Sequence, residues 1–196
     1  MRPFGTAETN SLRNVMAFTV LSHVLDLITT QWRDPGLDHE ANPFYQFVEH
    51  FGYTGWPWLV STKVIVVGAL GLAYWWYLGV RHEYLPPRIV RSPRSLIWNG
   101  MWHGKPYPKS LWGRLFNRRK LSFLGMVLAG FALPGSGAAA LFISLDNAAV
   151  ALDRAIPIQI AGYFLLGTVG IVAVWFYWAY WHYYKTQVRA GLIPPE

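Results

Sequence analysis

The chain has 196 residues, which is about the length of one domain. Hydrophobic residues make up 53% of it and charged residues only 14%, against roughly 25% in a soluble domain, so a water-soluble globule is excluded and a membrane protein is expected. The net charge is +7, and the absence of cysteine excludes disulfides, thiolate metal sites and thiol nucleophiles.

The first apolar segment predicts a transmembrane helix over about residues 14–32. Its length suits a bilayer, since ~20 residues at about 1.5 Å each span the ~30 Å hydrocarbon core. Polar residues recur every three or four positions and therefore share one helix face. They are Thr19, Ser22, His23, Asp26, Thr29 and Thr30. A carboxylate and an imidazole at this depth need partners, so this face marks a candidate site.

An acidic loop follows, over residues 33–57, with Arg33 as its single Lys or Arg. The periodicity from Pro43 onward predicts a short interfacial helix that is capped by Asn42, with Pro43 at its first position. This loop also carries His39 and Glu40, which can fold back over the end of the first helix.

A second transmembrane helix is expected over about residues 58–80, with Lys63 as its only charge and an interfacial aromatic belt at residues 74–77. Counted from Trp32 and Trp58 at the outer ends, Asp26 and Lys63 both lie roughly 8–9 Å below the membrane boundary. Opposite charges at equal depth on adjacent antiparallel helices should pair. We therefore expect a polar or ion-pair site, composed of His23, Asp26, Thr29, Thr30, Glu40, Asn42 and Lys63.

The loop over residues 81–120 carries ten Lys or Arg against one acid, Glu83. Its prolines make a long regular helix improbable on steric grounds, and aromatic residues alternate with the charges. Such a pattern can bind RNA. Between two membrane spans, contact with an anionic cytoplasmic leaflet is the favoured interpretation, with no nucleic acid partner. The expected lipid-surface residues are Arg88, Arg91, Arg94, Trp98, Trp102, Trp112, Arg114, Arg118, Arg119 and Lys120.

The third and fourth transmembrane helices are expected over about residues 121–145 and 157–184, the latter ending in a second aromatic belt. Pro134 among glycines interrupts the third segment, either as a discontinuous helix that exposes backbone to a ligand or as a kink with a small-residue face for close packing. We favour the second interpretation. The sequence thus predicts an all-α integral membrane protein that forms a single membrane domain of four transmembrane helices over residues 1–196. The positive-inside rule places both termini in the cytoplasm, and we expect a bacterial inner membrane.

One set of residues carries a resemblance to a known family. The order Asp26, Thr29-Thr30, Glu40-Ala41-Asn42-Pro43, Gly52 and Lys63 resembles a family of small bacterial and archaeal multi-pass membrane proteins that is defined as a domain of unknown function. The resemblance covers about residues 20–70. It implies a membrane architecture and the importance of these residues, and it implies no activity.

Three kinds of chemistry compete with purely structural roles for these residues. His23 and Asp26, with His39, Glu40 and His50, include enough donors for a metal, but Lys63 would repel a cation and no paired-His motif exists. His23 or His182 could ligate haem or a pigment. Ser136 lies between glycines without an obvious base nearby in sequence, so nucleophilic catalysis finds little support. No metal or other cofactor is predicted.

The sequence favours a non-catalytic accessory or assembly subunit of a larger membrane complex, in contact with other subunits or with copies of itself. A transporter-like or ligand-binding and ion-binding protein, which would use Asp26, Glu40 and Lys63, is the first alternative. A metal-dependent membrane enzyme is the second.

Overall fold

The computed structural model describes residues 5–38, 43–102, 118–152 and 158–193, and all of the regular structure in these ranges is helical. In chain order the helices are α1 (Thr6–Arg33), α2 (Pro43–Glu49), α3 (Trp56–Val80) with a 3-10 turn (Arg81–Tyr84), α4 (Pro93–Trp102), α5 (Arg118–Ala151) and α6 (Ile158–Arg189).

Four of these helices are long and apolar enough to cross a membrane: α1, α3 together with its 3-10 turn, α5, and α6 from Gly162 onward. The prediction of an all-helical multi-pass protein with four such helices is confirmed at this level. The predicted bounds were too short, because α1 begins at Thr6 rather than near residue 14 and α6 continues to Arg189 rather than 184. Hydropathy marks the apolar part of a helix, whereas the backbone hydrogen bonds continue into its polar ends.

The α5 helix is the centre of the fold, and it packs against α1, α3, α4 and α6. It runs without interruption through Pro134, which excludes the less favoured interpretation of a discontinuous helix. Its small residues do provide a packing face, since a Cβ on Gly137 would lie 3.0 Å from the Cα of Thr19. A Cβ on Gly130 would meet the rings of Phe176 and Tyr77 at 2.5 and 2.8 Å. Neighbouring helices therefore approach α5 at van der Waals distance.

The main hydrophobic core lies at the end of the bundle where α3 and α6 finish and α5 begins. Both predicted aromatic belts contribute to it, and this corrects the expectation that they only line the membrane surface. Tyr74 and Tyr77 are buried while Trp75 and Trp76 between them are exposed, since four consecutive helical residues cannot all face outward. The aromatic members of the core are Tyr74, Tyr77, Phe123, Phe176, Tyr180 and Tyr184.

The basic loop predicted over residues 81–120 contains the 3-10 turn, α4 and the first turn of α5. Residues 103–117 lie outside the described residues. One face of α4 packs into the bundle, and a Cβ on Gly100 would lie 2.3 Å from the ring of Phe123. The short α2 helix is held by Tyr45, whose hydroxyl accepts a hydrogen bond from the Gly55 N–H at 2.8 Å.

Candidate functional site

The buried face of α1 is its polar face. Thr19, Ser22, Asp26 and Thr30 are buried, whereas Leu21 and Ile28 on the opposite side are exposed. This distribution is the reverse of that on a helix of a soluble protein, and it is expected where lipid surrounds the bundle. The polar side chains of α1 meet α5 and α3 along one line, which we call the polar seam; it consists of Thr19, His23, Asp26, Thr30, Arg33, Lys63, Ser136 and Asn147.

An ion pair between α1 and α3 forms the centre of the polar seam. Lys63 Nζ contacts Asp26 Oδ2, and the two residues are only 6% and 3% exposed. The close approach of the two helices is also visible nearer the other end, where a Cβ on Gly71 would lie 2.9 Å from the sulfur of Met16. The structure therefore brings together the two charges that the sequence places at equal depth below the membrane boundary.

Asn147 of α5 joins this ion pair to the end of α1. Its Nδ2 donates to Thr30 Oγ1 at 3.1 Å and to Asp26 Oδ1 at 3.4 Å, and its Oδ1 accepts from Arg33 Nη1 at 2.7 Å. Sequence reasoning missed Asn147 because the third helix was expected to end at residue 145, which left this residue in a loop. Its only signal in the sequence is an amide between Asp146 and two alanines, just beyond the predicted end of the helix.

Nearer the middle of α1, the polar seam continues with uncharged contacts to α5. His23 Nε2 lies 2.8 Å from Ser136 Oγ, and Thr19 Oγ1 donates to the carbonyl oxygen of Leu133 at 3.1 Å. His23 Nδ1 is buried and has no hydrogen-bond partner among the described residues. The packing of α1 on α5 thus places an imidazole beside Ser136, from a residue 113 positions away that the sequence did not connect with it.

The polar seam ends at Thr19. Val15, the next buried residue of this helix toward the basic end, belongs to the hydrophobic core. The next described side-chain hydrogen bond toward that end joins Ser11 to Tyr74 at 3.0 Å. Ser11 and Thr19 are eight positions apart, which corresponds to a rise of about 12 Å. Within the described residues, the polar contacts of the seam thus do not continue across the bundle.

Other predicted site residues are placed differently. The Thr29 hydroxyl donates only within its own helix, to the carbonyl oxygens of Leu25 at 3.0 Å and Asp26 at 3.2 Å. His39, Glu40 and Asn42 lie outside the described residues. Among the residues that are described, no group of three or more His, Asp and Glu side chains is arranged to hold a metal.

A second cluster of charges surrounds Arg81 at the opposite end. Its guanidinium lies 3.7 Å from the centre of the Tyr183 ring, and its Nη2 donates to Glu8 Oε1 at 3.2 Å. Because Glu8 belongs to the first turn of α1, this bridge explains why the helix extends beyond its apolar segment. These contacts hold the start of α1 against the end of α3.

The predicted lipid-surface residues fall into three groups: buried or half-buried, outside the described residues, and exposed. Trp102 is only 5% exposed and packs inside the protein, which corrects its assignment to the lipid surface. Arg119 is half-buried and donates to the carbonyl oxygens of Gly100 and Glu83 at 3.2 and 3.1 Å. Lys120 is half-buried, and Trp112 and Arg114 lie outside the described residues. The exposed members are Arg88, Arg91, Arg94, Trp98 and Arg118.

Comparison with protein-family models, with curated proteins and with solved structures finds no match for this chain. The resemblance to a family of unknown function thus depends on the motif residues alone.

Proposed function

We propose that the protein is a non-catalytic subunit of a larger complex in a bacterial inner membrane, and that α6 provides its contact with the partner. The observation that carries this proposal is the uncovered first half of α6. Between Gly162 and Ala179, Phe176 is the only buried residue. The helix packs mainly against α5 and α4, so most of its circumference over this stretch has no neighbour within the described chain.

The glycines of α6 support this interpretation. A Cβ on Gly162, Gly167 or Gly170 would have no atom within 4 Å. Small residues let the backbones of two membrane helices approach closely, and this packing replaces the hydrophobic effect as a source of affinity inside a bilayer. On α5, by contrast, Gly130 and Gly137 are already covered by other helices of the same chain.

The polar seam supports a structural role more than a transport role. Asp26 is engaged by Lys63, Asn147 and, at 3.5 Å, the Thr30 hydroxyl. A ligand of either charge would have to displace one of these partners from a buried position. A transport path would also need polar groups beyond Thr19, where the core is apolar.

The distribution of charge supports an orientation with both termini in the cytoplasm. The end of the bundle that holds the start of α1 and the end of α6 carries most of the Lys and Arg residues, and the opposite end carries Asp34, Asp38, Glu49 and Asp146. Under the positive-inside rule the first end faces the cytoplasm.

Site-specific photo-crosslinking in native membranes tests the subunit proposal. The photoreactive residue p-benzoylphenylalanine would replace, one at a time, residues that are between 60% and 76% exposed on α6, namely Tyr163, Phe164, Leu166, Ile171 and Val174. The matched control is Ile65 on α3, which is 68% exposed and is assigned to lipid.

We expect one discrete protein adduct of constant mass at adjacent α6 positions and none at Ile65. An adduct that contains a second copy of this chain would identify the partner as itself, and a different adduct would be identified by mass spectrometry. The proposal is overturned if all five α6 positions and Ile65 give only lipid adducts and the protein purifies from mild detergent as a solitary monomer.

A further inference from the structure

Several exposed cations lie at one end of the bundle, and we call them together the basic rim. It is defined by Arg88, Arg91, Arg94, Arg118, Lys185 and Arg189, all of which are exposed. The rim brings together three parts of the chain that are distant in sequence: the segment before and at the start of α4, the start of α5 and the end of α6.

The α4 helix and the segment before it are held rigidly against the bundle. The Val90 N–H donates to the Tyr184 hydroxyl at 2.6 Å, and this fixes the approach to α4 on α6. Leu96 and Gly100 are buried against the rest of the protein, with Gly100 in direct contact with Phe123. The opposite side of the helix, which carries Arg94 and the 46% exposed Trp98, is therefore presented outward in a fixed position.

The cations at this end have two different roles. Arg81 and Arg119 are used inside the protein, by Glu8 and Tyr183 in one case and by backbone carbonyls in the other. Arg91 and Arg94 are exposed, and the acids described at this end are Glu8, which is paired with Arg81, and Glu83. The rim thus carries positive charge well in excess of what the fold uses.

We propose that the basic rim binds the phosphate headgroups of anionic phospholipids in the leaflet beside it, with α4 as the rigid platform. Charge complementarity favours this partner. The rim lies at one end of four membrane-length helices, where a surrounding bilayer would present its headgroups. The exposed Trp98 beside Arg94 adds a side chain of the type that prefers the membrane interface. This proposal does not depend on the subunit proposal, since it concerns lipid and not a protein partner.

The test measures lipid selectivity in reconstituted vesicles. Spin-labelled phosphatidylglycerol and spin-labelled phosphatidylcholine are added separately to phosphatidylcholine vesicles that contain the protein, and the ratio of their association constants is determined by electron paramagnetic resonance. The test variant is Arg91→Gln/Arg94→Gln. The matched control is Asp38→Asn/Glu49→Gln, which changes two exposed charges at the opposite end.

We expect the wild-type protein to prefer phosphatidylglycerol, and the preference to fall by up to about fivefold for each cation removed in the test variant. The control variant should keep the wild-type preference. Raising the salt from about 0.1 M to about 1 M should weaken the preference, because the screening length falls from about 10 Å to about 3 Å.

Three results would overturn the proposal: no preference in the wild-type protein, an unchanged preference in the test variant, or an equal loss in the control. Binding of a fluorescent single-stranded RNA that is lost in the test variant, without lipid selectivity, would assign the rim to nucleic acid instead. If the test variant fails to reconstitute, Arg88→Gln/Arg118→Gln removes two other rim cations and must meet the same criteria.

Discussion

At the scale of single residues, Asn147 shows how α5 completes a site that begins on α1. One amide group meets a carboxylate, a hydroxyl and a guanidinium. The pairing of Asp26 with Lys63 could be inferred from the sequence, because both residues could be measured from the ends of adjacent helices. The contacts of Asn147 and Ser136 could not, since they depend on the register between α1 and α5, whose contacting residues are more than 110 positions apart.

Two adjacent threonines give a matched prediction at this scale. Thr30→Ala removes the group that accepts from Asn147 Nδ2, whereas Thr29→Ala removes a hydroxyl that bonds only to its own helix. We expect Thr30→Ala to cost about 0.5–1.5 kcal/mol of unfolding free energy, since interhelical hydrogen bonds in membranes average about 0.6 and reach about 1.7 kcal/mol. Thr29→Ala should change little. Unfolding measured in bicelles checks the difference, and equal effects would mean that the Asn147–Thr30 contact contributes nothing.

At the scale of elements, α5 stays helical through a proline and pairs of small residues. Membrane helices tolerate proline when neighbouring helices support the backbone around it. The carbonyl that Pro134 leaves without its helical donor is that of Gly130. Thr19 of α1 donates close by, to the carbonyl oxygen of Leu133. The sequence shows the proline and the glycines but not the helix that packs on them. The discontinuous helix, which was the less favoured alternative, is not present, whereas the favoured small-residue packing face is. Elements were therefore predictable in number and type, and their continuity was not.

Substitution of two glycines on α5 tests this packing. The Cβ of Gly137→Ala would lie 3.0 Å from the Cα of Thr19, a backbone atom that cannot rotate away. We expect a loss of about 1–3 kcal/mol, as for an overpacked core. On the same helix, a Cβ at Gly125 meets no atom within 4 Å, so Gly125→Ala should be neutral or stabilise by about 0.5–1 kcal/mol. Thermal unfolding of both variants in one detergent gives the comparison, and a neutral Gly137→Ala would refute close packing of α1 on α5.

At the scale of the whole molecule, α5 lies at the centre of the bundle. The polar seam joins α1 to α3 and α5, and the first half of α6 is largely uncovered within the described residues. Composition and hydropathy were sufficient to predict four membrane-length helices, because the bilayer requires long apolar segments. They could not predict that α4 docks on the bundle, since its buried face is short and its Gly100 acts by leaving room for Phe123. For the same reason the burial of Trp102 was not predicted. Its sequence neighbours are typical of a membrane-surface loop, whereas the residue is buried in the protein.

The Asp26–Lys63 pair joins α1 to α3 within the polar seam, and we expect it to stabilise the packing of these two helices. A double-mutant cycle tests it most directly, with unfolding free energies measured in bicelles for Asp26→Asn, Lys63→Met and the double variant. Each single variant leaves one buried charge unpaired and should cost about 3–5 kcal/mol, whereas the double variant should cost clearly less than their sum because no charge is stranded. Costs that add to within about 0.5 kcal/mol would show that the two residues do not interact and would contradict the account.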